Sequence, residues 1–227
     1  MKPAVYLFDL DGTLISAHGA GRRALEKAVT EVLGRAVPLE FSFAGGTDRG
    51  IARQALHDAG VEPTEEAIDE LLSAYLQELS PALQATEEYT VFAGVRELLD
   101  ELRPRPGLAI GLGTGNLEAA ARMKLNRSGL NDYFPFGGFG CDAEARDELL
   151  RAGARRGAAR LGVAPEDCRI VVIGDTLRDV AAASAIGAEC LAVATGFTPR
   201  DELLTSAPTY CVADLTAPLV RDVLNQR

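Results

Sequence analysis

The sequence predicts an α/β protein: a parallel sheet with helices on both faces and an all-helical segment inserted after the first strand. Three observations carry this. Residues 4–10, 108–114 and 169–174 are short, almost wholly apolar runs, the pattern of strands buried on both faces. From residue 94 onward such runs alternate with helical periodicity, the order of a parallel sheet covered by its crossover helices. Residues 16–88 carry helical stripes and no strand pattern.

Taken in order, residues 4–10 form the first strand. Over 19–34, Ala20, Ala24, Leu25, Ala28, Val29, Val32 and Leu33 share one helical stripe, which Gly34 ends. A second helix is expected over 49–59, with Ile51, Ala55 and Leu56 inward. A third covers 65–79 behind Thr64 as N-cap, and another helical stretch runs to 86. Residues 89–91 read as a connector. A helix over 94–103 precedes the strand 108–114, and a helix from Asn116 to Ser128 follows it. Residues 134–139 are short and extended, and Asp142 opens a long helix to Leu161. The strand ending at Gly174, a helix over 178–186 and strands at 189–194 and 210–213 complete the chain.

The 227 residues are 47% hydrophobic, enough for one good core and an accessory element. A net charge of −10 argues against nucleic acid or an anionic membrane surface as partner. It leaves small anionic substrates open, because a bound cation inverts the charge of a local site. The four cysteines form no Cys-x-x-Cys pair, and His18 and His57 are the only histidines, so a structural zinc site is not expected. With neither a signal segment nor a membrane-length apolar run, a reduced cytoplasmic setting fits best.

Ligands of open parallel sheets sit beyond the carboxyl ends of the strands. The first strand ends in Asp9 and Asp11, with Gly12 permitting a sharp turn. The strand 108–114 ends in Thr114, followed by Gly115 and Asn116; the strand 169–174 runs into Asp175, with Asp179 four residues on. Acids at the mouth of a buried strand are costly unless a cation or substrate uses them, and the hard cation for such an oxygen cluster is magnesium. Asp9 and Asp175 would hold Mg²⁺, and Asp179 the ion, its waters or neighbouring groups. Asn116 opens a helix whose free first amides would cradle phosphate. Together these describe a magnesium-assisted phosphoryl-transfer site.

Asp9-Leu10-Asp11-Gly12-Thr13, Thr114-Gly115-Asn116 and Gly174-Asp175-Thr176-Leu177-Arg178-Asp179 resemble three motifs of the haloacid dehalogenase-like hydrolase superfamily, in its phosphoglycolate phosphatase-like branch. The resemblance spans essentially the whole chain. It implies a Rossmann-like hydrolase core of residues 1–15 and 89–227 and a helical cap of 16–88. Asp9 would be the nucleophile, forming an aspartyl-phosphate, and Asp11 the acid–base residue, binding the metal through its backbone carbonyl. Asp11 also points to phosphate chemistry, since dehalogenases of the superfamily lack that second acid. Thr114 and the Gly115 amide would hold phosphate oxygens, with Gly12, Thr13 and Asn116 beside them. Where the family usually carries a lysine, this chain offers Arg146 or Lys124. Arg146, early in the helix opened by Asp142, is favoured, and Lys124 is read as surface; a planar guanidinium suits phosphate.

In the cap, Thr47 and Asp48 are candidate substrate contacts and equally good N-caps. Arg22, where the chain passes from core to cap, could meet an anionic substrate or simply be solvated. Gly111-Leu-Gly113-Thr-Gly115 lacks the full spacing of a dinucleotide loop. The expected activity is a Mg²⁺-dependent phosphatase acting on a small phosphorylated metabolite, phosphoglycolate being the family-level example, in a monomer or homodimer. A phosphomutase of the β-phosphoglucomutase type is the alternative within the same chemistry. A non-catalytic binding or regulatory protein is the alternative of another class. Phosphonatase chemistry needs a cap lysine, and Lys27 does not sit in such a motif.

Overall fold

The computed structural model describes residues 2–225. In chain order the elements are β1 (Ala4–Phe8), β2 (Ile15–Ser16), α1 (Ala20–Leu33), α2 (Asp48–Asp58), α3 (Glu65–Gln84), β3 (Thr90–Val91), α4 (Val95–Leu102), β4 (Leu108–Gly113), α5 (Glu118–Asn126), β5 (Gly137–Gly138), α6 (Arg146–Leu161), β6 (Arg169–Gly174), α7 (Leu177–Ala185), β7 (Glu189–Val193), α8 (Arg200–Thr205), β8 (Tyr210–Val212) and α9 (Pro218–Leu224).

Six strands form one sheet in the order β5-β4-β1-β6-β7-β8, and every pairing is parallel. Alternation along β1 explains the layers: Tyr6 and Phe8 face one way, Val5 and Leu7 the other. Tyr6 and Phe8 join a cluster with Leu98 and Leu102 of α4, Leu125 of α5 and Val223 of α9. Val5 and Leu7 pack with Leu149, Leu150 and Ala154 of α6 and Val180 of α7. A separate apolar cluster unites α1, α2 and α3 and touches the sheet domain through Ala120 of α5. The segment passing out of β1 and the one returning to α4 pair as a two-stranded antiparallel ribbon, Ile15 with Val91 and Ser16 with Thr90.

Several local expectations are corrected. β1 stops at Phe8, so Asp9 and Asp11 belong to the turn beyond it. The connector over 89–91 contains β3, because Leu14 and Val91 edges complete each other's backbone pairing through Phe92 N–H donating to Leu14 O at 3.0 Å. Pro81 does not divide the helix at 79: α3 continues through it to Gln84. Asp142 does not open α6; its carboxylate accepts from the Phe139 N–H at 2.9 Å and pairs with Arg156, and Arg146 is the first residue of the helix. Helices α8 and α9 went unread. No described helix is long and apolar enough to cross a membrane.

Candidate active site

Register brings the strand ends level. Phe8 pairs with Leu112 on β4 and Ile173 on β6, so Asp9, Gly113 and Gly174 leave the sheet side by side. The Asp9 N–H still donates to Ile173 O at 2.8 Å, which ties the first acid to β6 beyond the last strand residue. Gly12 turns the chain at φ 89°, a conformation costly for any residue with a Cβ, and a Cβ there would run into the Asp175 carboxylate.

Asp9, Asp175 and Asp179 form a buried acidic group whose carboxylate oxygens lie within 4.8 Å of one another. Arg146 answers two of them: its Nη2 stands 2.9 Å from Asp9 Oδ1 and 2.5 Å from Asp179 Oδ1. Asp179 is aimed by a capping box, its Oδ2 accepting from the Thr176 N–H at 3.0 Å and the Thr176 hydroxyl at 2.7 Å. Asp175 accepts from the Thr13 hydroxyl at 3.1 Å and the Phe197 N–H at 3.1 Å. Burial, more than the repulsion of Asp9 and Asp179, pushes the Asp175 carboxyl up to about 8. Burial, opposed by Arg146, lifts Asp9 to about 6. Arg146 stays charged despite its burial because Asp179 and Asp9 hold it above its usual range.

Three buried carboxylates facing one guanidinium lack positive charge. Asp179 Oδ1 meets Arg146 Nη2 as an ion pair outside hydrogen-bonding alignment, and no other donor reaches this buried oxygen. An all-oxygen set of this kind fits a small hard divalent cation. Asp11 stands outside the group, its carboxylate turned toward α5.

That second cluster is the site's other half. Lys124 Nζ donates to Asp11 Oδ2 and to Asn116 Oδ1, both at 2.6 Å. Asn116 Nδ2 donates to Asp11 Oδ2 at 2.9 Å and to Thr114 Oγ1 at 2.8 Å. Lys124 is 5% exposed, so the surface reading of this residue is wrong. Its place on α5 explains the error: it shares a face with Ala120 and Ala121, all three buried, and its long stem reaches back along the helix to the strand end. The signal was that stripe, since a lysine three and four residues after inward alanines points inward as well.

The amide cradle at Asn116 is likewise corrected. α5 starts at Glu118, and the Leu117 N–H donates to Asp48 Oδ2 at 2.8 Å, so a carboxylate from the cap segment already fills that helix end. Close approach makes this contact: the Asp48 N–H donates to Gly115 O at 2.8 Å, and a Cβ on Gly115 would run into the Gly46 carbonyl. Thr47 is an N-cap, accepting from the Gly50 N–H at 3.2 Å and donating to Glu144 O at 3.1 Å. Arg146 Nη1 also reaches Gly45 O at 3.2 Å.

A cavity of about 770 Å³ opens over both clusters. Asp9, Asp11, Gly12, Thr114, Gly115, Asn116, Lys124, Arg146, Asp48 and Arg22 line it; Thr13, Thr47, Asp175 and Asp179 lie behind the lining. Arg22 donates to the carbonyls of Leu39 and Phe41, each at 2.7 Å, and stacks 3.9 Å over Phe43, so its guanidinium serves the cap segment's own backbone.

A model of the haloacid dehalogenase-like hydrolases matches residues 3–187. The phosphoglycolate phosphatase of Synechococcus elongatus is 28% identical over 213 residues, 90% of each chain. Phosphoglycolate phosphatase 1 of Pseudomonas aeruginosa is 30% identical over 224 residues, covering 94% of this chain and 77% of that one. Among solved structures, the protein tyrosine kinase A (PtkA) of Mycobacterium tuberculosis is 25% identical, with a TM-score of 0.64 over 99% of both chains. The chain belongs to the haloacid dehalogenase-like hydrolase family and is a phosphatase of that family.

Proposed function

We propose that this phosphatase hydrolyses a small organic phosphate monoester through an aspartyl-phosphate on Asp9, with Mg²⁺ held by Asp9, Asp175, Asp179 and the Asp11 carbonyl. The observation that carries the reading is the division of acids into two clusters at the strand ends. One is buried and sets three carboxylates against a single guanidinium; the other places a carboxylate, Asp11, on the cavity wall in contact with Lys124 and Asn116.

Each residue then has a task. Asp9 presents one carboxylate oxygen to phosphorus, while Arg146 Nη2 pairs with its Oδ1. Asp11 gives a proton to the departing alcohol and takes one from the hydrolytic water. Lys124 and Asn116 fix the carboxyl that does so. Thr114 and Gly115 hold phosphate oxygens at the end of β4. When bound, Mg²⁺ supplies the charge that lets a phosphate approach these acids. Helices α1 to α3, the segment 16–88, act as a cap over a core of 1–15 and 89–227, and the contacts of Gly45, Thr47 and Asp48 with the core exclude bulk water. Four free cysteines support a reducing, cytoplasmic setting.

The test is a phosphometabolite panel with Mg²⁺, phosphoglycolate included because two relatives bear its name. Asp9→Asn should lower kcat by roughly 10⁴-fold or more. Turnover that survives Asp9→Asn, or survives EDTA, sinks the proposal. Incubation with ATP and a tyrosine-bearing polymer checks the activity named for the mycobacterial relative; phosphotyrosine formed in preference to free phosphate would replace hydrolysis with transfer.

A further inference from the structure

Beyond the strand ends the cavity wall is mostly apolar, with the hydroxyls of Ser16, Ser42, Tyr75 and Thr90 interspersed. Leu25, Ile51, Leu72, Phe43 and Phe92 face it, and Phe197 stands at its mouth with 71% of its surface exposed. Its backbone is not free to drift, because the Phe197 N–H is held by Asp175 and the neighbouring Thr195 hydroxyl donates to Gly12 O at 2.6 Å.

The basic side chains on this wall all have partners. Arg22 serves the carbonyls of Leu39 and Phe41, Arg146 serves Asp9 and Asp179, and His18 lies 3.3 Å from Glu88. Lys124 bonds Asp11 and Asn116, and the carboxylates of Asp11 and Asp48 outnumber its charge. A substrate carrying a second anion beside its phosphate would find the hydroxyls of Ser16, Ser42, Tyr75 and Thr90 on this wall but no basic side chain among the lining residues that lacks a partner, so its charge would be only partly offset.

We propose, resting on the phosphatase reading above, that the alcohol released is uncharged and apolar, an aryl or arylalkyl alcohol, in preference to a carboxylate-bearing one such as glycolate. The cavity volume of about 770 Å³ accommodates a ring and its linker above the phosphate.

The test compares kcat/KM for benzyl phosphate and phosphoglycolate on the full chain with Mg²⁺, using p-nitrophenyl phosphate as a general check. Both leaving groups are unactivated alcohols, so the ratio reads binding of the leaving group. Benzyl phosphate should be preferred by about tenfold or more. Equal or better turnover of phosphoglycolate overturns this inference and leaves the phosphatase reading intact. Failure to hydrolyse any of the three esters removes the phosphatase reading and this inference with it. Phe197→Ala should cut the benzyl-to-phosphoglycolate ratio about fivefold; an unchanged ratio means that the ring does not touch the leaving group, and overturns the assignment. Ile51→Lys, at a half-buried wall position, should swing the ratio toward phosphoglycolate by lowering its KM.

Discussion

At one pole of the cavity Asp9, Asp175 and Asp179 share the guanidinium of Arg146; at the other, Asp11 and Asp48 share the ammonium of Lys124. Both poles carry more acid than base, yet they differ in what surrounds them. The first is buried, and each member is fixed by a strand end or a helix start. The second is half open to the cavity and assembled from three places: the turn after β1, helix α5 and the first residue of α2. A buried imbalance calls for a cation. At the second pole the Asp11 side chain meets the cavity's water, while Lys124 and Asp48 are covered by the cap segment.

Removing Arg146 tests that contrast most severely. Arg146→Leu leaves three buried carboxylates with no counter-charge, and taking one partner from a buried pair costs about 3–5 kcal/mol. In EDTA the variant should melt roughly 10 °C below the parent. Magnesium should restore much of the loss, because the same oxygens gain a cation, and thermal melts with and without Mg²⁺ read both. A variant that melts like the parent in EDTA would mean that the acids already sit protonated and that the first pole needs no cation.

Lys124→Met strikes the second pole and should act on chemistry more than on folding. Methionine keeps the stem that packs beside Ala120 and Ala121 while freeing the Asp11 carboxylate from its nearest donor. If Asp11 is the proton donor, kcat should fall about 100-fold for an alkyl phosphate and much less for p-nitrophenyl phosphate, whose leaving group needs little protonation. Equal losses on the two substrates would assign Lys124 to phosphate binding instead.

The two poles were also unequally legible in the sequence. Asp9 and Asp175 could be read because each follows an apolar strand, and Asp179 because it stands four residues after Asp175; strand ends of a parallel sheet converge. Lys124 could not be placed in the same way. The stripe it shares with Ala120 and Ala121 turns it inward, but its partner Asp11 lies 113 residues away, a pairing that no local pattern encodes. Arg146 was found through resemblance, although its helix starts four residues later than Asp142 and so aims the guanidinium directly at Asp9. Asp48 was legible only as an ambiguity between cap and contact. The structure makes it both the first residue of α2 and the acceptor for Leu117, while Thr47 takes the capping role. The strands β2 and β3 were missed because two-residue pairings carry no periodicity of their own and exist only once the chain leaves and re-enters the sheet domain.

The smallest effect belongs to Asp48, and it reports on closure. Burial, against the pull of Lys124 and the Leu117 N–H, pushes its carboxyl up to about 6. An unfolded aspartate releases its proton near pH 4. Between those two values the folded chain therefore holds a proton that the unfolded chain has lost, so Asp48 contributes stability that is fully present below about pH 4 and fades as the pH rises through about 6. Asp48→Asn removes the titration while leaving an oxygen for the Leu117 N–H. Melting temperatures of parent and variant, measured from pH 4 to pH 7, should show the parent losing ground to the variant across that window and a constant difference above it. The slope has this sign only if Asp48 is shielded from water by the cap–core contact. A difference that stays flat across the whole range would place Asp48 in solvent, with the cap segment lifted from Gly115 and Leu117 in the free enzyme.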